Sequence, residues 1–585
     1  MKKKLFLFLG ILFIIIFNDG CEKKEIINIY ENPAAGTLVF LTDFDAGSDV
    51  VISMTASLKS RFPGLAVDFI QAKPFNVKEA AYQLEVAAIN YPAGTFFLGL
   101  VDPGANSHCM VFKAQDDKKF VVPDNGLATL VFKYMLTGDY YGVDNPLDDT
   151  GIPPSQLNFK ELYLKATMGL ISGKSLSSFG DPIEQPVTFN VVEPALVNDT
   201  LYGQITNTDN FGNCMTNIPD SLLDAFDTGV LFKVTGGSQP FFALYGINYS
   251  SVPPDQNIVF SSPSNLLEIA VNLGNVSQRY QLTAGAPVKL HRGMARIGIL
   301  QYNDISNSYV DIVKNELIAK GFVEGDNALY IERNAGGNIA QLSSMVHEIL
   351  EEGIDIMVSF STPATQAAVS MVPDDIPIVF SIVTNPEIAG ILNQRTGVTG
   401  LSNATDFNAF IGFTKRLLPA ISIAGSLYNA GESNSIFSQQ QLSNTCVYYG
   451  MNFFNTSVTG AGDIPSAYAD IKQNHIQAIL ISNDNTMTLA MTDLVALALP
   501  DTIPVLGTNY VNTQDGALAS ISVDYDLIAR ETGKLVVAVI RGVNPDDVSV
   551  KYFDTNIIAI NTQTAESLGY VFDPGIISEA RYIYP

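Results

Sequence analysis

The chain of 585 residues has no tryptophan, four histidines and four cysteines. Cys21, Cys109, Cys214 and Cys446 are far apart, form no CxxC pair and stand at no zinc-type spacing to a histidine. That pattern excludes a structural zinc site and a dense disulfide framework from the expectations. It leaves a Cys109–Cys214 bridge open, because spacing does not give proximity. Absent tryptophan and only His108, His291, His347 and His475 limit the available side-chain chemistry. Positive charge is also scarce, with 33 Lys and Arg against 59 Asp and Glu and a formal net charge of −26. Such a surface repels phosphates and carries no basic patch, so nucleic acid is not an expected partner. Beyond the first 17 residues no apolar run is long enough to span a bilayer. There is no Gly-rich phosphate-cradling ATPase signature either.

What is present is a 47% hydrophobic composition over a length that suits two to four domains. Residues 1–17 carry lysines at 2–4 and then an apolar core, followed by Asn18, Asp19, Gly20 and Cys21. A basic start, a short apolar core and a small residue before the break describe a secretory signal. A cysteine directly after that glycine resembles a bacterial lipobox. The expectation is removal of residues 1–20, a lipid on Cys21, and a polar tether over 21–36 that holds the protein to a membrane in the cell envelope, outside the cytoplasm.

Four short runs stand out next: Leu41-Thr42-Asp43-Phe44, Val101-Asp102-Pro103-Gly104, Pro123-Asp124-Asn125-Gly126 and Asp209-Asn210-Phe211-Gly212-Asn213. Each of the first three closes an apolar run with an aspartate, and short apolar runs ended by turn residues read as buried strands. In open α/β sheets ligands sit outside the carboxyl ends of strands, where three such carboxylates can converge. The plainer alternative is that each aspartate only caps a turn or helix. Helical periodicity over 50–58 and 77–88 falls between these strands, and the pattern changes after about 190 to short strands with Gly, Asn and Pro turns. An α/β sheet domain over 37–195 followed by a small β-barrel-like domain over 196–292 is expected.

This order of motifs resembles the S-adenosylmethionine (SAM) hydroxide adenosyltransferases and the related SAM-dependent chlorinases and fluorinases. Tyr91-Pro92-Ala93-Gly94-Thr95, Thr216-Asn217-Ile218, Leu266-Leu267-Glu268-Ile269-Ala270-Val271-Asn272 and Gly274-Asn275 extend the likeness. The resemblance implies attack of water on the 5′ carbon of SAM, with SAM as substrate or ligand, no further cofactor, and a homotrimer whose ligand lies between the two domains. By family position it puts Asp43 on the ribose, Asp209 and Asn213 on the methionine portion, and Asp49, Asp124, Asn125, Phe211 and Ser264 around the ligand. The family's water-holding Asp, Arg and His are met here by Asp102, Cys109 and Asn158, with Gln71 and Asp45 as further departures. Asparagine can hold a water but cannot act as a base near neutral pH. The first module therefore reads as a binder of SAM or an adenosine-like ligand first and as a hydrolase second, the alternative being an inactive nucleoside sensor or scaffold.

From residue 294 onward, strand and helix patterns alternate in two sets, over 296–382 and again from 422, with glycine stops at Gly321 and Gly353. This is the pattern of a two-lobed, doubly wound sheet protein. Gly298-Ile299-Leu300-Gln301-Tyr302, Ser361-Thr362-Pro363-Ala364-Thr365, Ile376-Pro377-Ile378-Val379-Phe380 and Asp515-Gly516-Ala517-Leu518-Ala519 carry a resemblance to the ABC-transporter substrate-binding lipoproteins of periplasmic type I fold. It implies an amino-acid-like small solute in a cleft over 294–585, hinge closure and delivery to an ABC permease. Candidates for the cleft are Tyr302, Asn303, Ser361, Thr362, Thr384, Asn385, Ser482, Asn483, Asp484 and Asp524. Hydroxyls at helix starts suit a carboxylate, and Asp484 or Asp524 suits an ammonium. The competing role of these polar residues is helix capping.

Overall fold

The computed structural model describes residues 36–104, 108–144, 158–553 and 556–585. The expectations for the signal, Cys21 and the tether lie outside the described residues. The chain divides into two units, residues 1–189 and 190–585.

In the first unit the apolar runs become strands, because a strand covered on both faces can be apolar throughout. The strands are β1 (Thr37–Thr42), β2 (Ala66–Gln71), β3 (Phe96–Leu100), β4 (Cys109–Ala114), β5 (Lys119–Pro123) and β6 (Leu136–Gly142), in the order β2-β1-β3-β5-β4-β6. β2, β1, β3 and β5 run parallel, β4 pairs antiparallel with β5, and β6 pairs antiparallel with β4. The parallel part puts the carboxyl ends of β1, β3 and β5 at one edge. Helices Asp49–Arg61 and Val77–Asn90 connect these strands, and each starts on a side-chain cap: Ser48 Oγ accepts from Val51 N and Asn76 Oδ1 from Glu79 N.

The second unit begins with β7 (Ala195–Val197), β8 (Thr200–Thr208), β9 (Cys214–Pro219), β10 (Leu231–Thr235), β11 (Phe241–Tyr245), β12 (Asn257–Ser261), β13 (Leu266–Val271) and β14 (Pro287–Arg292). Pairing of β14 with both β10 and β8 closes β8–β14 into a seven-stranded barrel around Leu201, Ile205, Phe232, Val259 and Ile269. Closure leaves few free strand edges.

Only Gly293 and Met294 separate β14 from β15 (Ala295–Gln301). With β16 (Ala328–Asn334), β17 (Ile356–Phe360), β18 (Ile378–Val383) and β19 (Val398–Ser402), β15 forms the parallel sheet of a first lobe, ordered β16-β15-β17-β18-β19. The second lobe holds β20 (Ile423–Asn429), β21 (Asn452–Val458), β22 (Ala478–Ile481), β23 (Val505–Gly507), β24 (Ala519–Val523), β25 (Asn556–Asn561) and β26 (Ala580–Tyr584). The chain crosses between lobes after β19, again after β24 into helix Tyr525–Ile540, and a third time before β25. That helix starts at the second lobe but packs on helix Asn307–Ala319 and on β18 and β19 of the first.

The barrel is welded to the first lobe. Leu231 and Phe242 belong to the same buried cluster as Ile297, Tyr309, Val313, Ile528 and Ile540. Asn257 N donates to Arg541 O at 2.7 Å, Arg279 Nη1 to Gly542 O at 2.9 Å, and Lys233 Nζ pairs with Asp355 at 2.7 Å. Among the described residues no helix is long and apolar enough to cross a membrane.

Candidate functional sites

At the carboxyl edge of the first sheet, Asp43 and Asp102 meet. Asp43 Oδ2 accepts from Asp102 N at 3.1 Å and from Phe75 N at 3.2 Å. Asp102 has φ +42, a left-handed turn that an aspartate tolerates better than most residues. Asn125 Nδ2 ties the same corner by donating to the carbonyls of Val101 (3.0 Å) and Asp102 (2.9 Å). Asp124 turns away and accepts from Val187 N at 2.7 Å, and Asp49 is an exposed first-turn residue of its helix.

The positions of the expected water-holding set are otherwise occupied. Asn158 caps helix Phe159–Ile171: its Oδ1 accepts from Glu161 N at 2.9 Å, while Glu161 Oε2 accepts from Asn158 N at 3.4 Å. Cys109 opens β4 and faces the apolar core, where burial pushes its thiol well up. A neutral, solvent-excluded thiol cannot polarise water as a guanidinium does. Gln71 Nε2 donates to Thr42 O and Ala72 O.

In the barrel, Asp209 holds its own loop. Its Oδ1 accepts from Phe211 N and Asn213 N, and its Oδ2 from Asn213 Nδ2 at 2.9 Å. Asn213 Nδ2 also reaches Tyr249 Oη, which donates to Glu268 Oε1 at 2.5 Å. This bracing leaves Phe211 77% exposed, an uncommon state for a phenyl ring. Ser264 is an exposed turn residue whose N–H donates to Ser262 Oγ.

The cleft between the two lobes is nearly shut, with about 40 Å³ of free space. Asn303, Ser361, Thr362, Thr384, Asn483 and Asp484 line it. Tyr302 and Asn385 stand off its wall, as does Asp524, whose Oδ1 caps helix Tyr525–Ile540 and whose Oδ2 takes Arg581 Nη1 at 2.6 Å. Ser482 Oγ is buried without a partner but is not on the wall. Wall residues not singled out from sequence include Tyr309, Ile382, Asn403, Asn434 and Tyr525. The rings of Tyr309 and Tyr525 stack at 5.5 Å.

Four wall side chains keep a buried polar atom without a hydrogen-bond partner: Asn303 Nδ2, Tyr309 Oη, Ser361 Oγ and Asn434 Oδ1. An unmade hydrogen bond in a buried site costs about 1–3 kcal/mol. Two wall residues also hold positive φ, Ser361 at +80 and Ile382 at +60. A β-branched residue there is a genuine outlier. Strain and unpartnered polar atoms concentrated on one small cavity are the marks of a binding site.

A wider groove of about 850 Å³ runs between barrel and first lobe. Its Lys233 and Arg279 are paired with Asp355 and Asp255, and none of the buried unpartnered atoms among the described residues lies on it. Size alone therefore does not mark it as the functional cavity.

Comparison with known proteins groups the barrel with the first sheet domain, although by contacts it belongs to the unit that holds the two lobes. A family model described as ABC transporter substrate binding protein matches residues 301–582. Models described as the N-terminal and C-terminal domains of SAM hydroxide adenosyltransferase match residues 38–180 and 203–289. The chain is a fusion of a SAM hydroxide adenosyltransferase-like module with an ABC substrate-binding domain. It is 29% identical over 260 residues to an (R)-S-adenosyl-L-methionine hydrolase of Thermus thermophilus, across 43% of this chain and 98% of that protein. It is 25% identical over 253 residues to a tyrosine-binding protein of Clostridioides difficile, across 43% of this chain and 73% of that protein. The ABC domain of a Streptococcus pneumoniae protein, solved in complex with L-Trp, is 24% identical with a TM-score of 0.47, across 50% of this chain and 100% of that one.

Proposed function

We propose that this protein is an extracytoplasmic lipoprotein, anchored through Cys21, whose two-lobed domain captures an amino-acid-like solute for an ABC permease and whose first module binds SAM or a related nucleoside. The observation that carries the capture reading is the nearly closed cavity with Asn303 Nδ2, Ser361 Oγ and Asn434 Oδ1 unpartnered on its wall. Solute pockets usually measure about 300–1,000 Å³, so the lobes must part at the crossings to admit one. For the first module, Asp43 and Asp102 at the strand ends support a nucleoside site. The commitment of Asn158 to a helix cap and of Cys109 to the core argues for binding without hydrolysis.

The test is calorimetry of the unlipidated full chain with SAM and, separately, with the protein L-amino acids, followed by chromatography of the SAM mixture for adenosine and methionine. Heat with an amino acid and heat with SAM, without product, is the expected result. Product formation would make the first module a hydrolase with a rebuilt water site. Asp43→Ala should abolish the SAM signal and leave the amino-acid signal intact, and unchanged SAM affinity would remove Asp43 from that site.

A further inference from the structure

The three open sheets end in six edge strands: β2 and β6, β16 and β19, β21 and β26. An uncovered edge invites pairing with another chain, and charged side chains are the usual guard. β2 carries Asp68, β6 Asp139, β16 Glu332 and Arg333, and β26 Arg581. β19 is uncharged but covered: Lys551 N donates to Gly400 O at 3.1 Å and Ser402 N to Lys551 O at 2.9 Å. β21 has neither protection. It pairs with β20 over seven positions without a bulge, and it holds no proline and no charge. Among the described residues no strand lies on its other side, and Asn452, Phe454, Asn455 and Ser457 are exposed.

The uncharged surface reaches beyond the strand. Between residues 417 and 462 the one charged side chain is Glu432. It is buried beside Asp484, whose carboxyl is pushed up to about 7 by burial and by that charge, so it adds nothing to the surface. Helix Ser433–Tyr448 packs on β21 and exposes Ile436 and Val447, as the strand exposes Phe454. Two copies of a chain with net charge −26 repel one another, and least where neither carries charge. The two ends of the strand differ in sign. Before it, Lys415 Nζ donates to Tyr449 O at 2.8 Å. Just after it, Asp463 Oδ2 accepts from Thr459 N at 2.8 Å. Two copies of β21 related by a two-fold axis run antiparallel, which sets the Lys415 end of each beside the Asp463 end of the other. A two-fold pair is thus self-complementary in charge.

We infer that β21 is the edge through which two copies of this chain join, antiparallel about a two-fold axis at Asn455, so that the second-lobe sheet continues from one copy into the other. Pairing along the whole strand centres on Asn455, the middle residue of Asn452–Val458. The backbone groups left open on one side of β21 then find partners, and the exposed Phe454 ring is covered by the other copy's strand.

The experiment is oxidative cross-linking of the full unlipidated chain, with Cys21 replaced and a single cysteine introduced; the native Cys109, Cys214 and Cys446 are buried. Antiparallel neighbours lie about 4.5–5.5 Å apart at their α-carbons, within disulfide reach. The expected result is that Asn455→Cys or Thr456→Cys forms disulfide-linked dimer about tenfold or more faster than Val571→Cys, a control site 88% exposed on the same lobe. Any association through the first module acts on the control as well. Adding Phe454→Lys, which puts a charge on the edge, should slow the cross-link about fivefold or more. Where that variant does not fold, Val447→Lys on the neighbouring helix replaces it with the same expectation. Cross-linking at both positions within about threefold of the control overturns the pairing. A rate unchanged by the added lysine overturns it too, because the contact then does not run along this edge.

Discussion

Gly542 is the residue whose substitution tests the weld between barrel and first lobe most directly. It follows helix Tyr525–Ile540 at φ +102, and a β-carbon there would lie 2.1 Å from Asn257 Nδ2. That amide is buried at 0% exposure and donates to Phe242 O and Tyr280 Oη, both at 2.8 Å. Gly542→Ala therefore adds two costs. The left-handed backbone costs an alanine about 1–2 kcal/mol. Displacing the Asn257 amide strands buried partners at about 1–3 kcal/mol. The sum, about 2–5 kcal/mol, falls on the joint and not on the sheets. Hydrogen exchange reads it locally, because Asn257 N donates to Arg541 O across the joint. At about 1.4 kcal/mol per tenfold, exchange of that amide should quicken by roughly 30-fold or more. Gly321→Ala is the control: φ is +91 but nothing lies within 4 Å of the added carbon. It should pay only the backbone cost and leave the Asn257 amide unchanged. Acceleration below about fivefold in Gly542→Ala would mean the joint yields without loss, and the barrel would then be loosely tethered.

The raised Asp484 carboxyl gives a pH dependence of known sign. Its value rises from 3.8 to about 7 on folding, so its stabilisation is present in acid and is lost as pH rises toward 7, on the order of 4 kcal/mol in all; Asp484→Asn should flatten that part of the urea-midpoint profile, and an unchanged slope would refute the shift. Asn158→Ala should cost about 1 kcal/mol of stability through the lost cap and leave SAM affinity unaltered, whereas a large loss of affinity at normal stability would return Asn158 to the ligand site. Arg581→Ala unpairs Asp524 beside the second crossing; with Arg581 45% exposed the loss should be about 1 kcal/mol or less, and an effect that persists in high salt would contradict a screened ion pair.

The strands and helices were legible because their signals are local. Leu38–Leu41 and Phe120–Val122 are continuous apolar runs, and both fall inside parallel strands of a covered sheet. The two antiparallel strands β4 and β6 were not anticipated, since a strand added to a sheet edge is specified by its partner and not by its own pattern. The cleft was partly legible. Ser361, Thr362 and Asp484 could be picked out because each stands where an apolar strand gives way to a helix. Asn434 and Tyr525 escaped notice because one is a polar residue in a polar helix start and the other reads as core. Their place on the wall depends on how two lobes close, a relation between residues 91 positions apart. Asp524 illustrates the converse: its sequence position suits a ligand, but Arg581 and Leu527 N already occupy its oxygens.

The shared core has a consequence for motion. Leu231 and Phe242 of the barrel pack with Val313 and Ile528 of the first lobe, and β14 passes into β15 through two residues, so relative movement there would open a close-packed interior. The crossings to the second lobe are three single segments of chain, two of them near Asn403 and Asp524, where rotation about a few backbone bonds suffices. Solute-driven closure should therefore move the second lobe against one body made of barrel plus first lobe. Spin labels can measure this, because the native Cys109, Cys214 and Cys446 are buried and labels will go to introduced cysteines. With Cys21 replaced, Leu273→Cys on the barrel is paired with Ile318→Cys on the first lobe or with Tyr448→Cys on the second, all three sites being exposed. On adding the tightest-binding amino acid, the 273–448 distance should change and the 273–318 distance should not. A shift of equal size in both pairs would mean that the barrel moves independently of the first lobe, and the weld inferred from the Gly542–Asn257 contact would be wrong.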